Sequence, residues 1–251
     1  MSLVNKLIGY SLLSCALMGC TSAVRQSSSA GTPSTATPAF TNTTWTPADQ
    51  AQWPAVRFPG KKLTQFKLVN HDQRPGIQAD ASQSVSMLRH TLRVPPEQLG
   101  TLQFTWQVPA LIEGADMGLR HADDSPVRVV LAFEGNRRHF SASNALLNEL
   151  SLALTGEEMP YATLMYVWCN HRPVGSVIAN PRTDRIQKIV VESGTDQLKR
   201  WLAYERDVRA DFQRAFGEAP GALVAIGLMT DSDNTQSSTR AWYGDIRLMR
   251  P

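Results

Sequence analysis

The sequence is poor in cysteine, in net charge and in recognisable catalytic motifs. Its 251 residues include three Cys, too few for a disulfide-stapled scaffold or a zinc site with four cysteine ligands. The net charge is +3 and there is no long basic run, so nucleic acid is not expected as a partner. No G-x-S-x-G elbow, H-E-x-x-H helix or phosphate-binding loop occurs, and the five His are scattered. These absences argue against the enzymes that carry such motifs.

The N-terminus has the features of an export signal. One lysine precedes the apolar run Leu7–Met18, which is too short to span a bilayer. Leu17-Met18-Gly19-Cys20 resembles the bacterial lipobox, the signal for cleavage before a cysteine that is then diacylated. A second match ends at Cys15 but leaves a very short apolar run, and an ordinary secretory signal is the alternative. We therefore expect a signal peptide at 1–19 and a lipid anchor on Cys20.

The residues that follow predict a tether and one folded domain. Residues 20–44 are rich in Ser, Thr, Ala and Pro, and such a stretch buries too little apolar surface to fold. Thr21 stands where aspartate would favour inner-membrane retention, so we expect the outer membrane, with the domain facing the periplasm. Residues 45–251 form the expected domain. Cys169 has no partner cysteine there and is expected in the core.

Alternation of apolar and polar residues is the main pattern of the domain. Leu102, Phe104, Trp106 and Val108 alternate with polar residues, and the stretch 127–133 has the same period. Residues 161–168 and 222–229 are apolar throughout, as in strands covered on both faces. The other predicted strands are 63–69, 85–94, 186–192 and 239–249, and turn sequences such as Arg74-Pro75-Gly76 separate the segments. Many short strands of this kind predict a β-sandwich or barrel.

Two segments have helical spacing instead. Leu146, Leu147, Leu150 and Leu154 predict one helix, with Ser143 as its N-cap and Gly156 at its end. Val208, Phe212, Ala215 and Phe216 predict a second helix that Gly217 ends. The charges of Arg206, Asp207, Asp211 and Arg214 are expected to form a solvated face. The helices are too few for regular βαβ alternation, so we expect them to be insertions.

Six motifs follow one another along the domain: Asp123-Asp124 before Arg128, Met159–Trp168, Val190–Gly194, Arg206–Gly217, Thr230–Thr235 and Tyr243–Ile246. In this order they resemble the motifs of a bacterial family known as domain-of-unknown-function family 3047. The resemblance covers about residues 45–248 and implies an exported domain, a jelly-roll-like β-sandwich similar to galactose-binding and other carbohydrate-binding modules. The fold comparison implies no chemistry by itself.

Acidic residues after the strand 222–229 are the first candidate site. Asp231, Asp233 and Asn234 place oxygen ligands where a hard cation such as Ca²⁺ could bind. No EF-hand spacing is present. A turn in which these side chains satisfy their own backbone explains the pattern equally simply, and we favour it. No cofactor is therefore expected, and a structural Ca²⁺ at Asp231 and Asp233 is the alternative.

A pair of acidic residues, Asp123-Asp124, is the second candidate. Two carboxylates can act as acid and base in glycoside hydrolysis if they lie roughly 5 to 9.5 Å apart. Such a doublet is more often a solvated loop, or one carboxylate pairs with an arginine, here Arg128. We therefore expect no enzyme activity, with Asp123 and Asp124 as the catalytic candidates of the alternative.

Tryptophans interleaved with Asp, Asn and Arg suggest sugar binding. Aromatic rings stack on sugar rings while neighbouring polar groups bond the hydroxyls. We expect a non-catalytic module for a saccharide or cell-envelope glycan. A glycan hydrolase and a protein-interaction module of an outer-membrane assembly are the alternatives. The predicted ligand-binding residues are Asp124, Arg128, Trp168, Arg172, Asp231, Asp233, Asn234 and Trp242.

Overall fold

Two β-sheets face each other and enclose the hydrophobic core. A computed structural model describes residues 40–251, and residues Ala39–Pro251 form one compact unit. The predicted signal peptide, Cys20 and nearly all of the tether lie outside the described residues. Thr43 and Thr44, which we assigned to the tether, belong to the first strand.

The first sheet has six strands among the described residues. Its order is β11-β6-β13-β4-β3, and β1 pairs with the C-terminal half of β13. Every pairing is antiparallel. The strands are β1 (Thr43–Trp45), β3 (Gln65–His71), β4 (Arg74–Ser82), β6 (Thr101–Gln107), β11 (Leu202–Asp207) and β13 (Ser238–Leu248).

The second sheet has seven strands in the order β2-β5-β12-β7-β8-β10-β9. β8 and β10 are parallel, and the other neighbours are antiparallel. The strands are β2 (Ala55–Arg57), β5 (Val85–Val94), β7 (Ser125–Phe133), β8 (Ala162–Cys169), β9 (Val177–Asn180), β10 (Thr183–Ser193) and β12 (Leu223–Asp231).

Consecutive strands repeatedly cross from one sheet to the other. β4 is followed by β5 in the opposite sheet, then β6 and β7 alternate again, as do β11, β12 and β13. This jelly-roll-like connectivity confirms the expected fold class, a mainly β sandwich with two helical insertions. Residues 40–251 contain no helix of the length and apolar character that a membrane span needs.

The predicted alternation places the core residues correctly. Leu102, Phe104 and Trp106 of β6 point inward and are at most 1% exposed, and alternate residues of β7 face them. The outer face of β8 is also covered, since Val167 packs with Cys169, Met117 and other apolar side chains of a second cluster. Cys169 is buried, as predicted.

The two predicted helices are present. α1 (Ala142–Thr155) and α2 (Val208–Phe216) each end at a glycine in the left-handed conformation, Gly156 and Gly217. The N-cap of α1 is Ser141, not Ser143, because the Ser141 hydroxyl accepts from the Asn144 amide. Short 3₁₀ helices occupy Pro47–Gln52, Pro96–Gln98 and Arg137–His139.

α2 closes one end of the sandwich, which we call the α2 end. Phe212 is fully buried, and its ring centroid lies 4.7 Å from that of Phe133 at the end of β7. β5 finishes and β12 begins at this same end, where Val94, Leu223 and Phe133 are in register. Asp211 is buried and accepts from Arg206 and Tyr166, so the predicted solvated face is wrong at this residue.

The turn between β3 and β4 also differs from the prediction. It is formed by Asp72 and Gln73, both with positive φ, while Arg74-Pro75-Gly76 begins β4. A two-residue loop with positive φ at both positions follows the right-handed twist of the strands. The hairpin moves β3 from the predicted 63–69 to Gln65–His71.

Candidate functional site

A buried ion network lies on the outer face of the seven-stranded sheet. The Arg128 guanidinium on β7 donates from Nε and Nη2 to the two carboxylate oxygens of Asp231 at 2.9 Å each. Nη2 also donates to the Asp123 carboxylate at 3.1 Å. Lys188 of β10 donates to the other Asp123 oxygen at 2.8 Å and to the Met117 carbonyl at 2.9 Å. The strand register thus brings together charges that are up to about a hundred residues apart in sequence.

Asp124 holds the loop after β12 in place. Its carboxylate accepts from the Asn234 side chain at 3.0 Å and from the Thr235 amide and hydroxyl at 2.7 and 2.6 Å. Asp233 pairs with Lys61. The acidic and amide side chains of this loop therefore bond groups from other parts of the chain, whereas the turn favoured from the sequence has them satisfy their own backbone.

Burial and charge shift the pKa values of this network. Burial alone would raise the pKa of Asp123, but the charges of Arg128 and Lys188 outweigh it and hold the pKa below the usual value. Burial lowers the pKa of Lys188 to about 8, with the positive charge of Arg128 adding to the effect. Complete burial raises the pKa of Asp231 to about 6, even though Arg128 bonds both oxygens.

Three of these carboxylates are close enough to share a cation. Asp124, Asp231 and Asp233 each offer an oxygen, and the three oxygens lie within 4.8 Å of one another. Each of the three carboxylates already accepts from protein donors: Asn234 and Thr235, Arg128, and Lys61 respectively. A cation bound there would compete with Arg128 for the Asp231 carboxylate and with Lys61 for the Asp233 carboxylate. The geometry therefore satisfies the carboxylates without a metal.

The burial of Asp123 and Asp124 argues against their use as the catalytic carboxyls of a glycan hydrolase. Asp123 and Asp124 are 6% and 1% exposed, and their oxygens face protein donors. A glycosidase carboxyl must contact the glycosidic bond, and these two have no access to one. The network is placed to hold β7, β10 and β12 together with the loop after β12.

The predicted ligand residues do not form one site. Trp168 is fully buried between the sheets and donates to the Gly194 carbonyl at 3.0 Å, so its ring cannot stack on a sugar and that prediction is wrong. Arg172 pairs with Asp116 beside the seven-stranded sheet. Trp242 lies on the outer face of the opposite sheet, where His71 stacks on its ring at 3.7 Å and leaves the ring buried.

A groove on the outer face of the six-stranded sheet is the best candidate for a ligand site. Its volume is about 620 Å³, within the usual range for small-molecule sites. β6, β11 and β13 form its floor, and their register sets Gln103 beside Glu205 and Arg247. Polar and aromatic side chains line it: Arg74, Gln103, Thr105, Trp201, Glu205, Asp245 and Arg247.

Trp201 is the aromatic wall of this groove. All six tryptophans lie within residues 40–251, and there Trp201 is the only one that is not buried. Two glycines make room for its ring: a Cβ at Gly76 would lie 3.2 Å from the ring, and a Cβ at Gly244 would lie 3.4 Å from it. The indole Nε1 is buried and has no hydrogen-bond partner in the described residues, so what Trp201 offers a ligand is the exposed part of its ring.

Sequence reasoning missed the groove residues although one signal pointed to them. The polar residues Thr101, Gln103, Thr105 and Gln107 mark the solvent face of β6, and this face becomes the floor. The pairing of β6 with β11 and β13 could not be predicted from spacing, because β11 was not recognised as a strand.

Comparisons with known proteins give a family and distant structural likenesses. No curated protein matches the sequence. Among solved structures, the chain is similar to the glycoside hydrolase domain of Endo-D from Streptococcus pneumoniae R6 at 7% identity and a TM-score of 0.34, covering 78% of this chain and 21% of that one. The chain thus spans about a fifth of that structure.

Two further likenesses cover nearly the whole of the other protein. The xylan-binding module CBM86 from Roseburia intestinalis matches at 7% identity and a TM-score of 0.35, over 84% of this chain and 97% of that one. The xyloglucanase domain of NopAA from Sinorhizobium fredii matches at 10% identity and a TM-score of 0.36, over 80% and 99%. Likeness at this level carries no argument about function.

The family match is much firmer. A family model described as "Protein of unknown function (DUF3047)" covers residues 51–247, most of the folded unit. The motifs that suggested this family, from Asp123-Asp124 to Tyr243–Ile246, all fall within that range. The chain belongs to the DUF3047 family.

Proposed function

We propose that this protein is a non-catalytic glycan-binding module and that the groove beside Trp201 is its binding site. The observation that carries the proposal is the partly exposed Trp201 ring next to a row of planar polar side chains on a sheet face. A sugar ring presents apolar C–H groups on its faces and hydroxyls around its edge. An aromatic wall beside amide, carboxylate and guanidinium groups matches both.

The polar row has both donors and acceptors in place. Gln103 donates to Glu205 at 2.8 Å, which orients the amide and leaves carboxylate lone pairs toward solvent. Arg247 lies 3.5 Å from Asp245, so both charged groups are paired yet remain near the surface. A neutral oligosaccharide can bond such groups without burying an unpaired charge.

Titration with a panel of oligosaccharides and peptidoglycan fragments tests the proposal. We expect at least one glycan to bind, and Trp201→Ala to weaken that binding about tenfold or more, because it removes the stacking surface. Glu205→Ala is expected to weaken it as well. Isothermal titration calorimetry gives the affinities.

Leu119→Ala serves as the control, since Leu119 is exposed and lies in the loop before β7 rather than near the groove. Its affinity should equal that of the wild type. If no glycan binds the folded chain, or if Trp201→Ala binds equally well, the proposal is wrong.

We also propose that the domain is held at the outer membrane by acyl chains on Cys20, facing the periplasm. The lipobox-like sequence, the short apolar run before it and the Ser- and Thr-rich segment after it support this. Several acyl chains on one residue anchor a protein stably.

A further inference from the structure

Helix α1 has its apolar and polar sides reversed relative to an ordinary surface helix. Leu146, Leu150, Ala153 and Leu154 lie along one side at 100° per residue, and we call this the leucine stripe. Its three leucines are 66%, 51% and 62% exposed. A surface helix normally turns such a stripe toward the core.

Polar side chains occupy the opposite side of α1, which faces the protein. Asn144 is 2% exposed, donates to Asp184 at 2.6 Å and accepts from Thr183 at 2.7 Å. Asn148 accepts from the Met159 amide at 2.9 Å, and Ser151 donates to the Glu157 carbonyl at 3.0 Å. These bonds fix the rotation of the helix, so the leucine stripe must face outward.

The outward apolar surface is concentrated on this helix. Three of the eight large apolar side chains that residues 40–251 expose form this stripe, and a fourth, Leu152, lies on the other side of α1. A contiguous exposed apolar surface indicates an interaction site, whereas scattered single residues do not. We propose that the leucine stripe of α1 docks on a lipid bilayer, with the helix lying in the plane of the interface.

The path of the chain favours a bilayer over a protein. α1 is inserted between the end of β7 and the start of β8, which lie at the α2 end of the sandwich. The described chain starts there too, because the Phe40 amide donates to Gln98. Gln98 belongs to the same short 3₁₀ helix as Pro96, and Pro96 and Arg137 line one shallow pocket just before α1. Any anchor before residue 40 therefore leads into the domain at the end that carries α1.

The length of the preceding segment agrees with this arrangement. Twenty residues along the chain from Cys20 to Phe40 can span at most about 70 Å. α1 itself is about 21 Å long. A lipid-anchored domain would thus hold the leucine stripe within reach of the bilayer. A single stripe of this kind offers only a few hundred Å², well short of the area of a stable protein interface.

Vesicle binding of residues 39–251 tests this proposal without any acyl chain, since this unit contains both sheets and the core. Cys169 is its one cysteine and is buried, so Ala153→Cys can be labelled specifically with an environment-sensitive dye. With vesicles of phosphatidylethanolamine and phosphatidylglycerol, we expect the dye emission to shift to the blue. The triple variant Leu146→Gln, Leu150→Gln, Leu154→Gln should lower vesicle partitioning about tenfold or more.

Leu68→Gln is the matched control, because Leu68 is equally exposed but lies on β3 of the other sheet. It should partition as the wild type does. An unshifted dye, or equal partitioning of the triple variant, overturns the proposal. A shift that depends on chain concentration instead of on lipid would make the stripe a self-association surface and would also overturn it. None of these outcomes depends on whether the groove binds glycan.

Discussion

Arg128 is a fully buried charge on which two carboxylates depend. It is 2% exposed, and the negative charges of Asp231 and Asp123 more than offset the effect of burial and raise its pKa. Buried ion pairs contribute little net stability compared with apolar residues of the same shape, but removing one partner leaves the other charge without compensation. The Arg128 guanidinium therefore acts mainly to keep the buried Asp231 carboxylate ionised.

Arg128→Met is expected to lower the free energy of unfolding by about 3–5 kcal/mol at pH 8. The loss should be smaller at pH 5. Asp231 without Arg128 has a folded-state pKa even further above its unfolded value, so the folded variant binds a proton as the pH falls and regains stability. Urea unfolding at pH 5, 6.5 and 8 measures this.

Arg240→Met provides the comparison at an exposed ion pair. Arg240 pairs with Asp80 on the outer face of the six-stranded sheet, and its side chain is 54% exposed. The change should cost less than about 1 kcal/mol with little dependence on pH. Equal losses in the two variants would mean that Arg128 has no special role.

The pairing of Asp123 with Arg128 could be predicted because the two residues are five positions apart. The contact of Arg128 with Asp231 could not, since it depends on β7 and β12 being neighbours. Composition could not predict which tryptophan is exposed. Trp168, Trp242 and Trp201 are the same residue type, and only the packing decides which of the three rings is accessible to solvent.

At the scale of elements, α1 depends on its N-cap more than most helices do. Its outward side makes no contact with the core, so tertiary packing stabilises it little, and local interactions matter correspondingly more. The Ser141 hydroxyl accepts from the Asn144 amide at 3.3 Å.

Ser141→Ala should lower the local stability of α1 by about 1 kcal/mol, the usual cost of losing a hydroxyl cap. Hydrogen exchange would then show α1 amides about fivefold less protected, with the strands unchanged. Ser143→Ala changes a serine inside the first turn and should leave protection near the wild-type level. If Ser143→Ala lowered the protection of the α1 amides and Ser141→Ala did not, the cap would be Ser143, as the sequence pattern suggested.

The periodicity of the sequence predicted the elements that pack against the core and missed those at the edges. Segments 85–94 and 239–249 correspond closely to β5 and β13. β1, β2 and β9 have three or four residues each, too few for a period to be visible. The leucine spacing of α1 predicted a helix correctly, but spacing alone does not say which side faces the protein.

At the scale of the whole molecule, the two proposed surfaces lie on opposite sides. The N-terminal end of α1 contacts Asp184 at the start of β10. Just after its C-terminal end, Glu157 pairs with Arg89 of β5. The helix therefore crosses the seven-stranded sheet. The groove lies on the outer face of the six-stranded sheet. A domain resting on a bilayer through the leucine stripe would therefore present the groove to the aqueous side, where a glycan could reach it.

Thermal unfolding with Ca²⁺ and with a chelator tests whether the carboxylates of Asp124, Asp231 and Asp233 bind a cation. A site with a Kd of about 10 μM would add about 2.7 kcal/mol at 1 mM Ca²⁺. For a domain of this size, that corresponds to a rise in Tm of about 5–10 °C. We expect a change in Tm below about 1 °C, because Ca²⁺ must displace Arg128 from Asp231 and Lys61 from Asp233 to reach their oxygens.

Lys61→Met frees Asp233 and is the informative variant. If Ca²⁺ raises the Tm of this variant but not that of the wild type, the lysine occupies the place of the cation. Stabilisation of the wild type itself by several degrees would show instead that the carboxylates form a metal site and that the hydrogen bonds described here rearrange around it.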